Sequence, residues 1–388
     1  MEGPTAADSQ RARAAIADVA RHTPVLPSAT LSERCGGEVV LKAESLQRTG
    51  SFKIRGALNK LAALGEQGCA RGVVAASAGN HAQALALAAQ ARGVPCVVFM
   101  PQGAPIAKVE GTEALGATVI AHGESVDDCL IAARARAEES GMAFVHPFDD
   151  PDVIAGQGTL GLELVEDVPD LAKVVVPVGG GGLASGVAIA VKAARPEVEV
   201  VGVQVGALMS IADGIAVKHI GELTGRLLGE WVDQLVVVPE DDIAEAIVLL
   251  MEKAKLVVEG AGAVGVAALL GGLTPAAAGG TTVVVLSGGN VDAGLLAEVA
   301  RRHETLAGRR LALFTKVSDL PGSMARLLAL LSEQGANLVE VQHVREGVDL
   351  HVRETGVQLV LQTRGRDHAR RVLDALAGAG YDSRPLLP

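Results

Sequence analysis

Lys53 stands between Phe52 and Ile54 in the stretch ESLQRTGSFKIRGA, residues 44–57. The small residues after it read as the start of a helix. A lysine held among apolar neighbours loses hydration of its ammonium, so its pKa falls and the free amine becomes a nucleophile toward an aldehyde. A helix start also presents backbone N–H groups to a nearby anion. Taken alone, the same residues more often describe a solvated helix lysine.

Three further stretches carry chemistry. Gly179, Gly180, Gly181 and Gly182, followed by Leu183, lie between an apolar run and a helical stretch. Consecutive glycines at a helix N-terminus expose N–H groups with no side chains in the way, which makes a phosphate cup. The run lacks the Lys-Ser/Thr ending of a nucleotide loop and does not match G-x-G-x-x-G near the first strand, so one cofactor phosphate fits better than a pyrophosphate or triphosphate. Ser77, Ala78, Gly79, Asn80 and His81 follow the apolar run 73–76. Ligands of open α/β sheets bind at such strand ends, and these residues could hold a carboxylate or simply cap a helix. Ser287 in LSGGN, residues 286–290, could meet a ring nitrogen or cap a turn. Together these features suit a pyridoxal phosphate site, with the lysine as covalent attachment and the cup holding the phosphate. Glu259 is read either as tuning this site or as a satisfied buried carboxylate. His146, Asp149 and Asp150 read as a polar turn more readily than as metal ligands, and the metal content is left unknown.

The elements that must position these residues alternate. Short β-branched runs at 73–76, 96–99, 118–121, 174–178, 198–203, 235–238 and 282–286 are separated by Ala/Leu-rich helical stretches such as 81–91 and 183–194. Most runs are continuously apolar, as expected of parallel strands covered on both faces. The expected fold is α/β and doubly wound, in two subdomains. Residues 301–310 are polar and basic without apolar periodicity and read as a linker after a domain spanning 1–300. Beyond it, 311–388 follows a β-α-β-β-α-β order, the ferredoxin-like split βαβ.

The bulk composition agrees. The chain has 388 residues, a formal net charge of −11 and 49% hydrophobic content. A pI near 5.4 argues against broad nucleic-acid or anionic-membrane binding. Aromatics are only 2%, so the core must be built from Ala, Val, Leu and Ile. Four widely spaced cysteines form no C-x-x-C pair, which points to a reducing, cytoplasmic setting. The first twenty residues carry no apolar stretch behind a basic start, so no secretory signal is expected.

On these motifs the chain resembles the serine/threonine dehydratases of the fold type II, tryptophan synthase β-like, pyridoxal-phosphate class, and most of all the threonine ammonia-lyases. The matches are residues 44–57, SAGNHAQ at 77–83, the proline-bearing stretch 100–108, AGQGT at 155–159, the glycine run, IADGIAVK at 211–218 and VEGAG at 258–262. Residues 311–388 resemble an ACT domain, with DLPG at 319–322 and Asn337 entering the second strand. The resemblance implies deamination of L-threonine to 2-oxobutanoate and ammonia, with L-serine as a lesser substrate. It gives Lys53 covalent attachment and removal of the α-proton, and places Phe52 near the ring. Asn80 would bond the ring hydroxyl, Gly179 to Leu183 hold the phosphate, and Ser287 face the pyridine nitrogen. Ser77 and the backbone from Ala78 to His81 would take the substrate carboxylate. Leu320, Pro321, Gly322 and Asn337 would bind an effector, with a branched-chain amino acid the first to test. A homodimer or homotetramer is expected.

Three departures, the third a short connection between the second and third strands of the ACT-like segment, and two rival readings accompany the resemblance. Only residues 205–210 connect VGVQ to IAD, a shorter connection than the family usually has, which leaves its cation site open. Ala84 stands where the family often has glycine. The rival enzymes are serine racemase and hydroxyaspartate ammonia-lyase. The family's racemases place a serine where this chain has Ala78. A non-catalytic amino-acid sensor is the rival outside catalysis.

Overall fold

The computed structural model describes residues 2–206, 210–215 and 220–386. The chain divides into two compact units, Met1–Val291 and Asp292–Pro388. In the first unit a six-stranded sheet runs in the order Val25–Pro27, Val39–Ala43, Thr281–Leu286, Leu171–Pro177, Glu199–Val205, Gln234–Val238. Only the first pair is antiparallel. A four-stranded parallel sheet, Thr118–Ala121, Cys96–Met100, Val73–Ala76 and Ala143–Phe144, forms the second layer system. Every residue of Val73–Ala76, Val39–Ala43 and Thr281–Leu286 is buried. That is the covering on both faces that continuously apolar runs require.

The central strand Val39–Ala43 is absent from the apolar runs read in the sequence because Lys42 interrupts it. Lys42 is nonetheless fully buried. Its Nζ donates to the Thr23 carbonyl at 2.7 Å and pairs with Glu163 at 2.7 Å and Asp167 at 3.1 Å. Glu163 links this lysine to Arg55, which is 1% exposed. Arg55 donates Nε and Nη2 to the two oxygens of Glu44, at 2.9 and 2.8 Å, and Nη1 to Glu163 at 2.6 Å. Burial alone would push the Glu44 carboxyl up, but the Arg55 guanidinium overrides it and holds Glu44 below the usual carboxylate range.

The helix Lys53–Cys69 begins at the lysine, and the helix Pro151–Asp167 packs beside it. Contact here is backbone on backbone. A Cβ on Gly156 would lie 2.6 Å from the Arg55 carbonyl and from the Gly56 Cα. On another face of the same helix, the helix Gly182–Ala194 approaches as closely. A Cβ on Gly186 would lie 2.4 Å from the Ile154 carbonyl. Asp150 starts the Pro151–Asp167 helix by accepting from the N–H groups of Asp152 and Val153. It also pairs with Lys60 at 2.7 Å.

In the second unit an antiparallel sheet runs Asn337–Val344, Glu354–Gln362, Arg310–Ser318, Ser383–Pro385. With the helices Ser323–Glu333 and Arg366–Gly378 this is the β-α-β-β-α-β order. Leu313, Leu327, Val357, Leu359 and Leu376 form its buried core. The expected 301–310 linker is corrected: residues 301–306 complete the helix Ala293–Leu306, and a strand starts at Arg310. The boundary between units also falls at 291/292 instead of 300. Arg301, Arg302 and Glu304 form an exposed helix face, and the helix's one buried residue, Val299, lies before them, so the stretch shows no apolar period. The short connection read at 205–210 includes residues 207–209, which lie outside the described residues, as do 216–218 of the IADGIAVK match.

The Arg55 fork yields a stability test. Arg55→Ala leaves Glu44 buried without its ion-pair partner and Glu163 with Lys42 alone, and its expected cost is about 3–5 kcal/mol. Urea unfolding should show this as a lower midpoint with unchanged slope. Arg55→Lys, which cannot form the two-pronged bond, should fall between the variant and the parent.

Candidate active site

Lys53 opens its helix, and the residue before it is tied to a strand end: the Phe52 N–H donates to the Ser287 carbonyl at 3.1 Å. Ser51 forms an isolated antiparallel bridge with Gly288, and the Gly289 N–H donates to Gly50 at 2.8 Å. The lysine stretch and the LSGGN loop are thus stitched side by side. The Lys53 Nζ lies 5.1 Å from the centroid of the Phe52 ring and donates to the Pro147 carbonyl at 2.9 Å. Burial pushes the Lys53 ammonium down to about 8, with the Glu259 carboxylate opposing the fall. The amine therefore deprotonates much more readily than that of a solvated lysine.

Asn80 begins the helix Asn80–Arg92 at the end of strand Val73–Ala76. Its Nδ2 donates to Glu259 at 2.7 Å, and its Oδ1 accepts from Asn290 Nδ2 at 2.8 Å. Asn290 also donates to the Thr49 carbonyl at 2.7 Å. Ser77 Oγ accepts from the Gly79 N–H at 3.2 Å. His81 is 3% exposed and its Nε2 bonds the Val145 carbonyl at 3.1 Å, so its side chain is turned into the core. Only its backbone is available to a ligand. Ala84 is fully buried in this helix, as its place in the helix interior allows.

The glycine run follows strand Leu171–Pro177 and leads into the helix Gly182–Ala194. The N–H groups of Gly179, Gly180 and Gly181 donate to no acceptor among the described residues. Those of Gly182 and Leu183 belong to the first helical turn, which has no intrahelical partner for them. Gly180 to Leu183 are buried. Buried N–H groups are rarely left unpaired, so successive orphan donors fit one phosphate group. A Cβ on Gly180 would fall 2.3 Å from the Phe148 ring. Gly181 has φ +93°, a left-handed backbone that favours glycine.

Pro147 and Phe148 join the lysine to this cup, and sequence reasoning misses them. The turn is rigid: His146 Nδ1 accepts the Asp149 N–H at 2.7 Å, and the Asp149 carboxylate accepts from the Thr224 N–H at 3.0 Å. Thr224 Oγ1 donates to the Gly180 carbonyl at 2.7 Å. His146, Asp149 and Asp150 are each committed to hydrogen bonds of this turn. Among the described residues no cluster of three His, Cys, Asp or Glu side chains is placed to hold a metal. The string HPFDD, residues 146–150, is the available signal, but nothing in it tells that a backbone carbonyl is the working group. Thr224 lies 44 residues from Gly180 and offers no local signal.

Lys53, Phe52, Asn80, Ser287 and the glycine cup therefore share one connected region of the first unit. Leu320, Pro321, Gly322 and Asn337 belong to the second unit. Leu320 is 64% exposed, Gly322 caps the helix Ser323–Glu333, and Asn337 Nδ2 donates to Gln362 at 3.3 Å.

Residues 16–288 match the family described as pyridoxal-phosphate dependent enzyme. The chain is 45% identical to an L-threonine ammonia-lyase of Thermotoga maritima, over 98% of this chain and 99% of the relative. It is 43% identical to the catabolic L-threonine dehydratase TdcB of Escherichia coli K12, over 69% of this chain and 87% of that one. Among solved structures, the processed form of threonine deaminase isoform 2 from Solanum lycopersicum superposes with a TM-score of 0.71 at 33% identity, covering 76% of this chain and 94% of its own. Maize serine racemase superposes with a TM-score of 0.74 at 33% identity, covering 79% and 99%.

Buried His81 and half-buried His146 make stability pH-dependent. Burial, aided by the charge of Lys53, holds His81 down to about 3, and burial holds His146 down to about 4 despite Asp149. Unfolded histidines take up protons near pH 6.5, so the unfolded state binds more protons below that pH and stability falls as pH drops from there toward 4. His81 alone should contribute about 1.4 kcal/mol per pH unit in this window. Thermal unfolding from pH 7 to 4.5 should show a shallower loss in His81→Gln than in the parent.

Proposed function

The chain belongs to the pyridoxal-phosphate dependent enzymes, and from that premise we infer that it is a lyase that deaminates L-threonine to 2-oxobutanoate and ammonia. The observation that carries this reading is the single region holding a desolvated lysine, orphan phosphate donors and an asparagine–serine strand-end pair. The likeness to L-threonine ammonia-lyases over nearly the whole chain supports the substrate. We extend the reading to L-serine, which lacks one methyl. A methyl is worth only about 1–3 kcal/mol of discrimination in a pocket.

Pyridoxal phosphate, when bound, supplies the electron sink that makes the substrate Cα–H acidic. The rest falls to the protein. Lys53 Nζ, with its pKa pushed to about 8, attaches the cofactor and then accepts the proton from Cα. Its bond to the Pro147 carbonyl holds the amine in one place before attachment. The backbone donors of Gly179 to Leu183 would hold the phosphate. Asn80 bonds the ring hydroxyl. The Ser287 hydroxyl would face the ring nitrogen and, unlike a carboxylate, would not fully protonate it. Ser77 with the Gly79 to His81 backbone takes the substrate carboxylate at a helix start. The Cβ–O bond breaks, water leaves, and the enamine set free hydrolyses to the oxo acid and ammonia. Ala78 has no proton to give from the opposite face, which sets racemisation aside.

We take residues 292–388 to include an ACT domain that senses a branched-chain amino acid through Leu320, Pro321, Gly322 and Asn337. We also expect a homodimer or homotetramer. The four cysteines are free thiols, in keeping with a reducing cytoplasm. Among the described residues no helix is long and apolar enough to cross a membrane.

Lys53→Ala should stay folded, lose the visible band of bound cofactor and lose nearly all turnover of L-threonine. Full activity in that variant refutes the lyase reading. A chiral assay with L-serine should find pyruvate forming far faster than D-serine. Saturating isoleucine or valine should change the threonine kinetics or the thermal midpoint of the full chain, and no response to either excludes branched-chain sensing.

A further inference from the structure

Glu259 is 6% exposed and caps the helix Gly260–Leu270, where its own N–H donates to the Gly288 carbonyl at 3.1 Å. Its carboxylate reaches back into the site. A Cβ on Gly288 would lie 2.3 Å from Glu259 Oε1, so the carboxylate occupies its place only because residue 288 is glycine.

The bonds around it form an ordered chain of donors and acceptors. The Thr49 carbonyl can only accept, so it fixes the amide nitrogen of Asn290 toward itself. The same nitrogen donates to Asn80 Oδ1, which fixes the oxygen of that amide. An ionised carboxylate can also only accept, so Glu259 fixes the Asn80 nitrogen toward it. Both ends of the Asn80 amide are thereby determined. One Nδ2 hydrogen is used on Glu259, and the other is the donor left for a ligand. Were the amide turned over, Asn80 would present an oxygen to that ligand.

We propose that Glu259 is a positioning residue for the reaction, holding the Asn80 amide with its nitrogen turned as the donor. The proposal rests on the lyase reading above. The charge of Glu259 acts on Lys53, and the two histidines that feel Lys53, buried His81 and half-buried His146, are neutral near pH 7. Among the charged groups of the described residues that act on Lys53, Glu259 alone favours its protonated form.

The test uses the full chain loaded with pyridoxal phosphate. Glu259→Gln keeps the side-chain shape but removes the charge, and its amide can offer Asn80 either a donor or an acceptor. Turnover of L-threonine should fall about tenfold or more while KM changes by less than about threefold. The pH midpoint at which the visible band of the bound cofactor changes should move to lower pH, because the protonated nitrogen has lost its counter-charge. Glu259→Asp, which keeps the charge, should restore the midpoint more than the rate. In an Asn80→Ala background the rate penalty of Glu259→Gln should shrink, since the partner through which it acts is gone. Unchanged turnover and an unchanged midpoint in a folded Glu259→Gln protein would make Glu259 a helix cap alone and overturn the proposal. If Glu259→Gln does not fold, the Asp variant decides alone: parental turnover with a parental midpoint counts against positioning by reach. A parent protein that binds the cofactor without deaminating L-threonine contradicts the lyase reading instead, and the midpoint shift still tests the role of Glu259.

Discussion

A guanidinium buried between two carboxylates, two residues from Lys53, is the constraint on which the first unit depends. Arg55 reaches Glu44 at the end of the strand Val39–Ala43 and Glu163 on the helix Pro151–Asp167. Lys42 from that same strand shares Glu163. Four charges are thus taken out of water together, and each is paired. Removing Arg55 strands Glu44, because a buried ion is tolerated only with its partner present. The start of the Lys53 helix has correspondingly little freedom relative to the sheet. A nucleophile needs that rigidity more than it needs stability, since loss of about an ångström of placement costs orders of magnitude in rate.

The chemistry is easier to read in the sequence than its support. Lys53, the glycine run, Asn80 and Ser287 carry local patterns: a strand end, small residues, then a helix. The strands Val73–Ala76 and Thr281–Leu286 are visible because both their faces are covered. What stays hidden depends on contacts between residues far apart in sequence. Lys42 interrupts an otherwise apolar strand, and the carboxylates that neutralise it, Glu163 and Asp167, lie more than a hundred residues later. The Pro147 carbonyl is a backbone group, so no residue type announces it. The end of the helix Ala293–Leu306 reads as a linker because Val299 is the helix's only buried residue, and one apolar position makes no period.

Polar chemistry in this site is directed mainly by groups that can act in one sense only. Carbonyls of Thr49 and Pro147 accept, the Glu259 carboxylate accepts, and unpaired N–H groups of the glycine run donate. Amide side chains such as Asn80 and Asn290, which could face either way, are set between them. Direction is therefore inherited from backbone and carboxylate to the side chains that meet the ligand.

The helix Pro151–Asp167 touches the lysine helix through Gly156 and the helix behind the phosphate cup at Gly186, in both cases backbone on backbone. A contact of this kind works as a gauge block. The distance between nucleophile and phosphate donors is set by atomic radii instead of by rotamers, which exchange as temperature or neighbouring packing changes. Substitutions elsewhere in the core can loosen or tighten the protein without resetting that distance. Diversification of the pocket is left to the loops at the strand ends, which carry specificity without bearing on the gauge.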